Sequence, residues 1–146
     1  MKKQHSIISD HIYRGKNSGH INSVTRLIYA GKFFNDKTAI KKLIKLCAGD
    51  IMKNKFDAII PIKPTYNKNN FTATISKGIA KELNIKYLDS LFQNNFKAKS
   101  DVKNLKILVF DDVIYSGKTM NKAIESLKKQ NPKSIHFFAI AKSKSF

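Results

Sequence analysis

Apolar residues along the chain follow two alternating patterns, short continuous runs and helical spacings. The runs at 56–62, 107–110 and 134–141 are typical of strands buried on both faces of a parallel sheet, and 85–88 is a shorter candidate strand. Between the runs, apolar residues recur every three or four positions: Ile40, Leu43, Ile44, Cys47 and Ile51; Phe71, Ile75, Ile79 and Leu83; Met120, Ala123, Ile124 and Leu127. These spacings predict three amphipathic helices, the first of them capped by Asp36.

The alternation of strands and helices from residue 36 to 141 predicts an α/β fold. We expect three layers, a mainly parallel sheet with helices on both faces. The 107–110 strand should be central, between 56–62 and 134–141, with 85–88 outside 56–62. Since the order then reverses between the first and third strands, a ligand crevice is expected between the loop after Ile62 and the loop after Asp111.

The first 31 residues are only weakly periodic. The segments 12–13 and 24–29 are candidate short strands, separated by the turn-rich segment 15–19. Together they predict a peripheral N-terminal hairpin at the edge of the sheet. The whole chain is expected to be one domain, 1–146, made of this segment (1–31), a core (32–141) and a basic tail (142–146).

A long polar connection at 91–105 separates the last two predicted βα units. Connections of this length without structure of their own are usually lids, binding loops or disordered segments. It carries Lys97, Lys99 and Lys103. These lysines are therefore candidate lid residues or nucleic-acid contacts.

The chain is strongly basic: 28 Lys and Arg residues against 10 Asp and Glu give 146 residues a formal charge of +18. Such a field attracts nucleic acid, phosphorylated metabolites and acidic proteins. A compositionally biased genome would produce the same lysine excess. The distribution of the lysines distinguishes the two explanations: lysines spread evenly over the surface would serve solubility, whereas a stripe of lysines would form a binding face. The chain has only two arginines, Arg14 and Arg26, and this shortage argues mildly against base-specific recognition.

Cysteine and histidine usage narrows the class of protein further. A single cysteine, Cys47, forms no disulfide within the chain and fits a reducing compartment. The four histidines show no metal-ligand spacing. No apolar run approaches membrane-spanning length, and the start of the chain does not resemble a signal peptide. We therefore expect a cytoplasmic protein with no membrane partner.

The most informative stretch is 106–119, KILVFDDVIYSGKT. Asp111 and Asp112 follow a buried strand, where paired carboxylates suit sugar hydroxyls or a hydrated Mg²⁺. Ser116, Gly117 and Thr119 then allow backbone N–H groups and hydroxyls to surround an anion at a helix N-terminus. A nucleotide-triphosphate loop is excluded because Asp112 stands where its first glycine should be. The competing interpretation is an ordinary strand, turn and helix with solvated acids.

This stretch resembles the phosphoribosyl-pyrophosphate (PRPP) signature of type I phosphoribosyltransferases: four apolar residues, two acidic, two apolar, then a small hydroxyl-rich loop with glycine. The resemblance implies that the catalytic acids Asp111 and Asp112 hold the ribose hydroxyls. It implies a 5′-phosphate loop of Val113, Ile114, Tyr115, Ser116, Gly117, Lys118 and Thr119. It also implies Mg²⁺ bound with PRPP and without direct protein ligands. Tyr115 replaces a usually small residue, which implies a narrowed or altered phosphate pocket.

Over residues 24–141 the chain resembles the ComF branch, the competence-associated phosphoribosyltransferase-like proteins. The similar features, in order, are Tyr29-Ala30-Gly31-Lys32, a helix, a strand ending in a Pro-x-x-Pro-like loop, and Asn70-Phe71 opening a helix. In type I enzymes the loop after the first core strand contacts pyrophosphate, which implies that role for Ile62, Lys63, Pro64 and Thr65. The usual Arg-Gly-Phe-Asn-Gln is here the segment 69–73, Asn-Asn-Phe-Thr-Ala, so the arginine is missing, and 89–105 looks shortened. Both departures should weaken pyrophosphate binding and water exclusion.

Two functions follow from these observations. The first is an enzyme that transfers phosphoribosyl from PRPP to a base or other acceptor. The second is a catalytically weak ComF-like protein that binds single-stranded DNA in uptake or recombination, with lysines along the backbone and aromatic rings stacked on bases. The sequence does not identify the acceptor, and it leaves open whether the protein forms a homodimer.

Overall fold

The computed structural model describes residues 4–7, 12–13, 23–63, 69–89, 91–92 and 95–143. The elements in chain order are β1 (Gln4–Ile7), β2 (Ile12–Tyr13), α1 (Ser23–Phe34), α2 (Lys37–Ile51), β3 (Ala58–Lys63), α3 (Phe71–Leu83), β4 (Lys86–Tyr87), β5 (Leu91–Phe92), β6 (Lys106–Ile114), α4 (Lys118–Lys128) and β7 (Ser134–Ser143). Among these residues, no helix is both long enough and apolar enough to cross a membrane. From β3 onward, α3 lies between β3 and β4 and α4 lies between β6 and β7, as the hydrophobic pattern predicts, whereas β4, β5 and β6 follow one another without a helix.

The sheet has the order β1-β7-β6-β3-β4, and its strand pairs are parallel. β6 is central, with Ala58 opposite Ile107 on one side and Ser134 opposite Lys106 on the other. The chain leaves β3 through α3 towards β4 and leaves β6 through α4 towards β7. This reversal between β3 and β6 confirms the predicted strand order.

Two apolar cores cover the two faces of the sheet. On one face, α1, α2 and α3 pack against strand residues that include Ile59, Leu108 and Phe138. On the other face, α4 and the 91–105 segment pack against residues that include Ile60 and Val109. The three-layer α/β arrangement with helices on both faces is therefore confirmed.

The helix α2 begins and packs as its sequence predicts. Asp36 is its N-cap, and its Oδ1 accepts a hydrogen bond from the backbone N–H of Ala39 at 3.0 Å. Cys47 lies fully buried on the apolar face. Burial, with a smaller contribution from Asp50, raises the pKa of the Cys47 thiol well above its usual range. Cys47 is thus a core residue.

The N-terminal hairpin prediction is wrong. Residues 24–29 belong to the helix α1, whose buried residues include Val24, Ile28 and Gly31 at helical spacing. Burial of this face against α2 overrides the strand propensity of the β-branched and aromatic residues here. β1 and β2 both run parallel to β7, so they form an interrupted edge strand. The edge position and the strand at 12–13 are confirmed, while 15–19 and 144–146 lie outside the described residues.

The interpretation of 91–105 as an unpacked polar connection is also wrong for its described part. Leu91, Phe96, Ala98 and Val102 are buried in the core on the α4 face. Gln130, just beyond α4, accepts a hydrogen bond from the N–H of Ala98 at 2.9 Å and donates one to its carbonyl oxygen at 3.2 Å. The segment is therefore held along α4.

Candidate ligand-binding site

The two adjacent acids, Asp111 and Asp112, lie where β6 extends past β3. Pairing of β3 with β6 ends at Pro61 opposite Phe110. Pairing with β7 continues to Ile114. One side of β6 is consequently open at the carboxylates, at the carboxyl ends of the parallel strands, where a crevice is expected at a reversal of strand order.

The turn between β6 and α4 wraps around the same opening. Gly117, the N-cap of α4, has φ 81° and ψ −1°, a left-handed conformation that glycine adopts without a Cβ penalty. The helix begins directly after it, at Lys118. Because the first N–H groups of a helix have no partner inside the helix, this turn presents backbone donors and a favourable dipole to an anion.

A pocket of about 210 Å³ joins these elements. It is lined by Lys32, Asn69, Thr72, Asp111, Asp112, Val113, Ile114, Tyr115, Ser116, Gly117, Lys118, Thr119, Met120 and Phe137. The structure therefore brings together in one pocket both predicted acids and all seven residues of the predicted phosphate loop. Tyr115 is exposed at the pocket.

The other predicted site residues lie elsewhere. Ile62 is buried in the core on the α4 face, and Lys63 ends β3 next to it. Neither of these two residues lines the pocket. Pro64 and Thr65 lie outside the described residues, so the predicted pyrophosphate loop is placed only at its first half.

Lys97, Lys99 and Lys103 are exposed, but they do not cover the pocket. Next to Lys103, the N–H of Asn104 donates to the carbonyl oxygen of Asn131, beyond the C-terminal end of α4. That is the edge of the sheet opposite the pocket, since β6 and β7 begin there. The described part of their segment packs along α4, away from the pocket, and the role of these lysines as lid residues or nucleic-acid contacts stays a prediction.

Lys32 of α1 forms an ion pair with Asp112 that the sequence did not predict. Its Nζ lies 2.6 Å from Asp112 Oδ2, and the exposed fractions of the two side chains are 26% and 10%. The other oxygen of Asp112, Oδ1, accepts a hydrogen bond from the N–H of Val113 at 2.8 Å. A buried carboxylate is costly without such partners, so this pair keeps Asp112 satisfied inside the protein.

Asp111 has a different electrostatic environment from that of its neighbour. Burial raises the pKa of Asp111 well above its usual range, and the adjacent Asp112 carboxylate raises it further. The N–H of Asp112, which donates to Asp111 Oδ1 at 2.8 Å, and the charge of Lys32 act in the opposite direction but do not reverse the shift. Asp111 therefore keeps its proton to a higher pH than an exposed aspartate.

Asn69 connects α1 to α3 at the side of the pocket. Its Nδ2 donates to the carbonyl oxygen of Lys32 at 2.9 Å, and its Oδ1 accepts from the N–H of Phe71 at 2.8 Å. Thr72, in the first turn of α3, lines the pocket beside it. The sequence identifies both segments, 29–32 and 69–73. It does not predict their contact, because its pattern places residues 24–29 in a strand and not in the helix α1.

Within the described residues, no three carboxylate, histidine or cysteine side chains come together as a metal site. The acids nearest the pocket are the pair Asp111 and Asp112. Two carboxylates that already accept backbone and ammonium hydrogen bonds suit contact with hydroxyls or with the water shell of a ligand-borne cation.

Residues 66–145, more than half of the chain, match the family model for the phosphoribosyl transferase domain. The matched range contains α3, β6, the turn between β6 and α4, and α4 itself, and it excludes α1. No curated protein matches the chain.

Several solved structures share the fold. A purine phosphoribosyltransferase from Pyrococcus horikoshii is 18% identical with a TM-score of 0.56, over 70% of this chain and 81% of that one. UMP synthase from Leishmania donovani is 17% identical with a TM-score of 0.60, over 92% of this chain and 29% of that one. Adenine phosphoribosyltransferase from Thermoanaerobacter pseudethanolicus is 13% identical with a TM-score of 0.54, over 75% of this chain and 83% of that one. At these identities the likeness confirms the fold.

Proposed function

Because the chain belongs to the phosphoribosyl transferase domain family, we propose that it binds PRPP and transfers the phosphoribosyl group to a base or other acceptor. The observation that carries this proposal is the single pocket in which the carboxylates Asp111 and Asp112 meet the turn that opens α4. Carboxylates and an anion-binding helix N-terminus, side by side, match the two ends of a ribose 5-phosphate group.

The 5′-phosphate fits at the turn from Tyr115 to Thr119. Gly117 takes the left-handed conformation that turns the chain into α4, and the backbone N–H groups that follow it are donors for phosphate oxygens. Ser116, Lys118 and Thr119 line the same pocket. Tyr115, also at the pocket, narrows the space around the phosphate relative to the small residue usual in type I enzymes.

The ribose fits over the two acids. Its hydroxyls can donate to the lone pairs that Asp111 and Asp112 still have after their backbone and Lys32 contacts. Mg²⁺, when bound with PRPP, would neutralise pyrophosphate charge. With two carboxylates at the pocket and no three-ligand cluster among the described residues, the chain suits contact with that ion through water.

The reaction breaks the bond between C1 of the ribose and a pyrophosphate oxygen and forms a bond from C1 to the acceptor atom, whose proton leaves to solvent. The sugar passes through an oxocarbenium-like state, so no covalent nucleophile is needed. What the chain must supply is orientation and charge: the phosphate turn fixes one end of the ligand, and the acids fix the ribose and face the developing positive charge. Lys63 and the loop after it are proposed for the pyrophosphate.

The test measures binding and turnover separately. Wild-type protein should be stabilised against heat by PRPP with Mg²⁺, since a ligand that binds only the folded state raises its stability. It should also release pyrophosphate when a panel of purine and pyrimidine bases is added. Asp112→Asn should reduce both signals, whereas Glu82→Gln, an exposed acid on α3, should reduce neither. Absence of any PRPP effect on the melting temperature of the wild type would refute the proposal.

A second candidate function, single-stranded DNA binding as in the ComF branch, is favoured by one surface feature. An open groove of about 710 Å³ between α2 and α3 carries four lysines, Lys41, Lys42, Lys45 and Lys81, around an apolar floor that includes Ile44. Lysines with an apolar floor suit a nucleic-acid backbone and its bases. However, Lys97, Lys99 and Lys103 belong to the opposite face of the sheet, so the described lysines do not form one stripe. We therefore place this candidate second.

A further inference from the structure

The family's arginine position is occupied here by a neutral residue with a different task. Asn69 stands where the pattern Arg-Gly-Phe-Asn-Gln begins. Its side chain bridges the carbonyl oxygen of Lys32 and the N–H of Phe71. Asn69 has no charge, unlike the arginine of the family pattern, but its two hydrogen bonds hold the C-terminal end of α1 against the N-terminal end of α3.

The junction between α1 and α3 is built for close approach. A Cβ atom at Gly31 would lie 2.7 Å from Phe71 Cε1 and 3.1 Å from Ile40 Cγ1, distances that a side chain could occupy only if its neighbours moved. α1 then ends at Phe34, and the next residue, Asn35, has a left-handed φ of 50°. Glycine at position 31 therefore lets the next residue, Lys32, reach the pocket.

The ammonium of Lys32 lies inside the pocket. It is 2.6 Å from Asp112 Oδ2 and 5.9 Å from the centroid of the Phe33 ring. An ammonium has three donors, so the bond to Asp112 leaves others for a ligand. Lys32 is also near the C-terminal end of α1, where the helix dipole favours a positive charge.

The pocket thus has a helix N-terminal turn on one side and the ammonium of Lys32 on the other. α4 and its phosphate turn follow β6 on one face of the sheet, whereas α1 and Asn69 approach from the face covered by α1, α2 and α3. The carboxylates of Asp111 and Asp112 lie between these two sides. A ligand whose 5′-phosphate occupies the α4 turn and whose ribose lies over the carboxylates would direct its opposite end towards Lys32.

We propose that Lys32 contacts the pyrophosphate end of PRPP and supplies, from α1, the positive charge that position 69 lacks. The proposal rests on the proposed function. It makes α1, which lies outside the family-matched residues 66–145, a part of the binding site. It also defines the ligand class as a ribose with anionic groups at both ends, in preference to one with a single phosphate.

Titrations of the full chain with PRPP and with ribose 5-phosphate, each with Mg²⁺, test the proposal. Lys32→Gln should lower the preference for PRPP over ribose 5-phosphate about ten-fold, the usual effect of one lost charge-assisted hydrogen bond. Lys32→Arg should keep most of the preference. Lys37→Gln, which removes the same charge from the exposed surface of α2, should leave it unchanged.

A charge-relocation variant adds a readout that a purely structural role would not move. Adding Asn69→Arg to Lys32→Gln should restore part of the PRPP preference, because it returns a cation to the same side of the pocket. Equal losses of affinity for both ligands in Lys32→Gln would mean that Lys32 acts only through Asp112, and unchanged affinities would mean that it has no role; either result overturns the inference. If the wild type binds neither ligand, the proposed function fails and this inference fails with it.

Discussion

The backbone N–H of Asp112 donates a 2.8 Å hydrogen bond to Oδ1 of Asp111, so the two adjacent carboxyl groups are held together in one pocket. Lys32 pairs with Asp112, while Asp111 is half-buried beside a neighbouring negative charge. A pocket that binds sugar hydroxyls benefits from two acceptors at this point. Holding two acidic groups this close together lowers the stability of the folded protein when no ligand is bound.

Asp111→Asn should raise the stability of the protein relative to wild type, and the gain should increase with pH. The folded-state pKa of Asp111 lies above its unfolded value, so wild-type stability is greatest below the unfolded pKa and falls as the pH rises through the folded pKa. Asparagine does not titrate, and its Oδ1 can still accept the N–H of Asp112. The gain in melting temperature should therefore grow from pH 4 to pH 8, and it should come with weaker PRPP binding.

The control for this pH series is Glu82→Gln, which removes an exposed acid on α3. Its effect on melting temperature should change little over the same pH range. An Asp111→Asn variant that is less stable than wild type at pH 8 would contradict the electrostatic account of the pair.

Gly117→Val should abolish PRPP binding while the protein stays folded. Residue 117 has φ 81°, so a β-branched side chain would strain or re-route the turn that presents its N–H groups to the phosphate. We expect a loss of about 1–2 kcal/mol in unfolding free energy. Asn131→Val is the matched control, because Asn131 also has a left-handed φ, 56°, but lies beyond the far end of α4. It should lose similar stability and keep PRPP binding. Equal PRPP affinities for Gly117→Val and wild type would show that the 5′-phosphate does not bind at this turn.

Gly31→Ala should destabilise the protein by about 1–3 kcal/mol, the usual cost of overpacking. The added methyl group would overlap the ring of Phe71, which is itself buried at the start of α3. Gly49→Ala provides the comparison, since a Cβ there meets nothing within 4 Å and alanine is the better helix former. Urea unfolding of the two variants should show changes of opposite sign. A neutral Gly31→Ala would mean that the α1–α3 junction adapts easily.

Local patterns in the sequence predicted the elements whose burial is regular. The apolar runs at β3, β6 and β7 are covered on both faces, and the crossover rule then orders the strands. The turn between β6 and α4 was predictable because its residues are contiguous, so the single stretch 106–119 contains its geometry. In both cases the information lies within one short stretch of chain.

The missed features depend on contacts between distant residues. Val24, Thr25 and Ile28 have strand propensity, and only packing against α2 makes their helical spacing decisive. Lys32 and Asp112 are 80 positions apart, and nothing local distinguishes Lys32 among 28 basic residues. Likewise, the buried residues of 91–105 have no helical or strand spacing in the sequence. Their burial depends on contacts with α4 and the turn after it, so it could not be predicted from the sequence.

Phe33→Ala should weaken use of the acceptor base more than use of PRPP. Phe33 is 61% exposed, and its ring centroid lies 5.9 Å from the ammonium of Lys32, which lines the pocket. An exposed ring there can stack on a planar base, an interaction worth about 1–3 kcal/mol by alanine substitution. The KM for the base should rise about ten-fold with the KM for PRPP nearly unchanged. Phe34→Ala removes the neighbouring ring, which is 80% exposed, and should change neither value.

Salt dependence should separate a nucleic-acid site from a generally basic surface. Each phosphate of a single strand whose charge is neutralised by a lysine contributes roughly −0.7 to the slope of log affinity against log salt concentration. PRPP has few phosphates and should give a shallow slope. Because lysines lie on both faces of the sheet, we expect oligonucleotide affinity near physiological salt to be no tighter than about 10⁻⁴ M. Two triple charge reversals should then lower it equally: Lys41, Lys45 and Lys81 in the groove between α2 and α3, and Lys97, Lys99 and Lys103 along α4. Tight, steeply salt-dependent binding that only the groove variant loses would instead identify that groove as a single-strand site and favour the second candidate function.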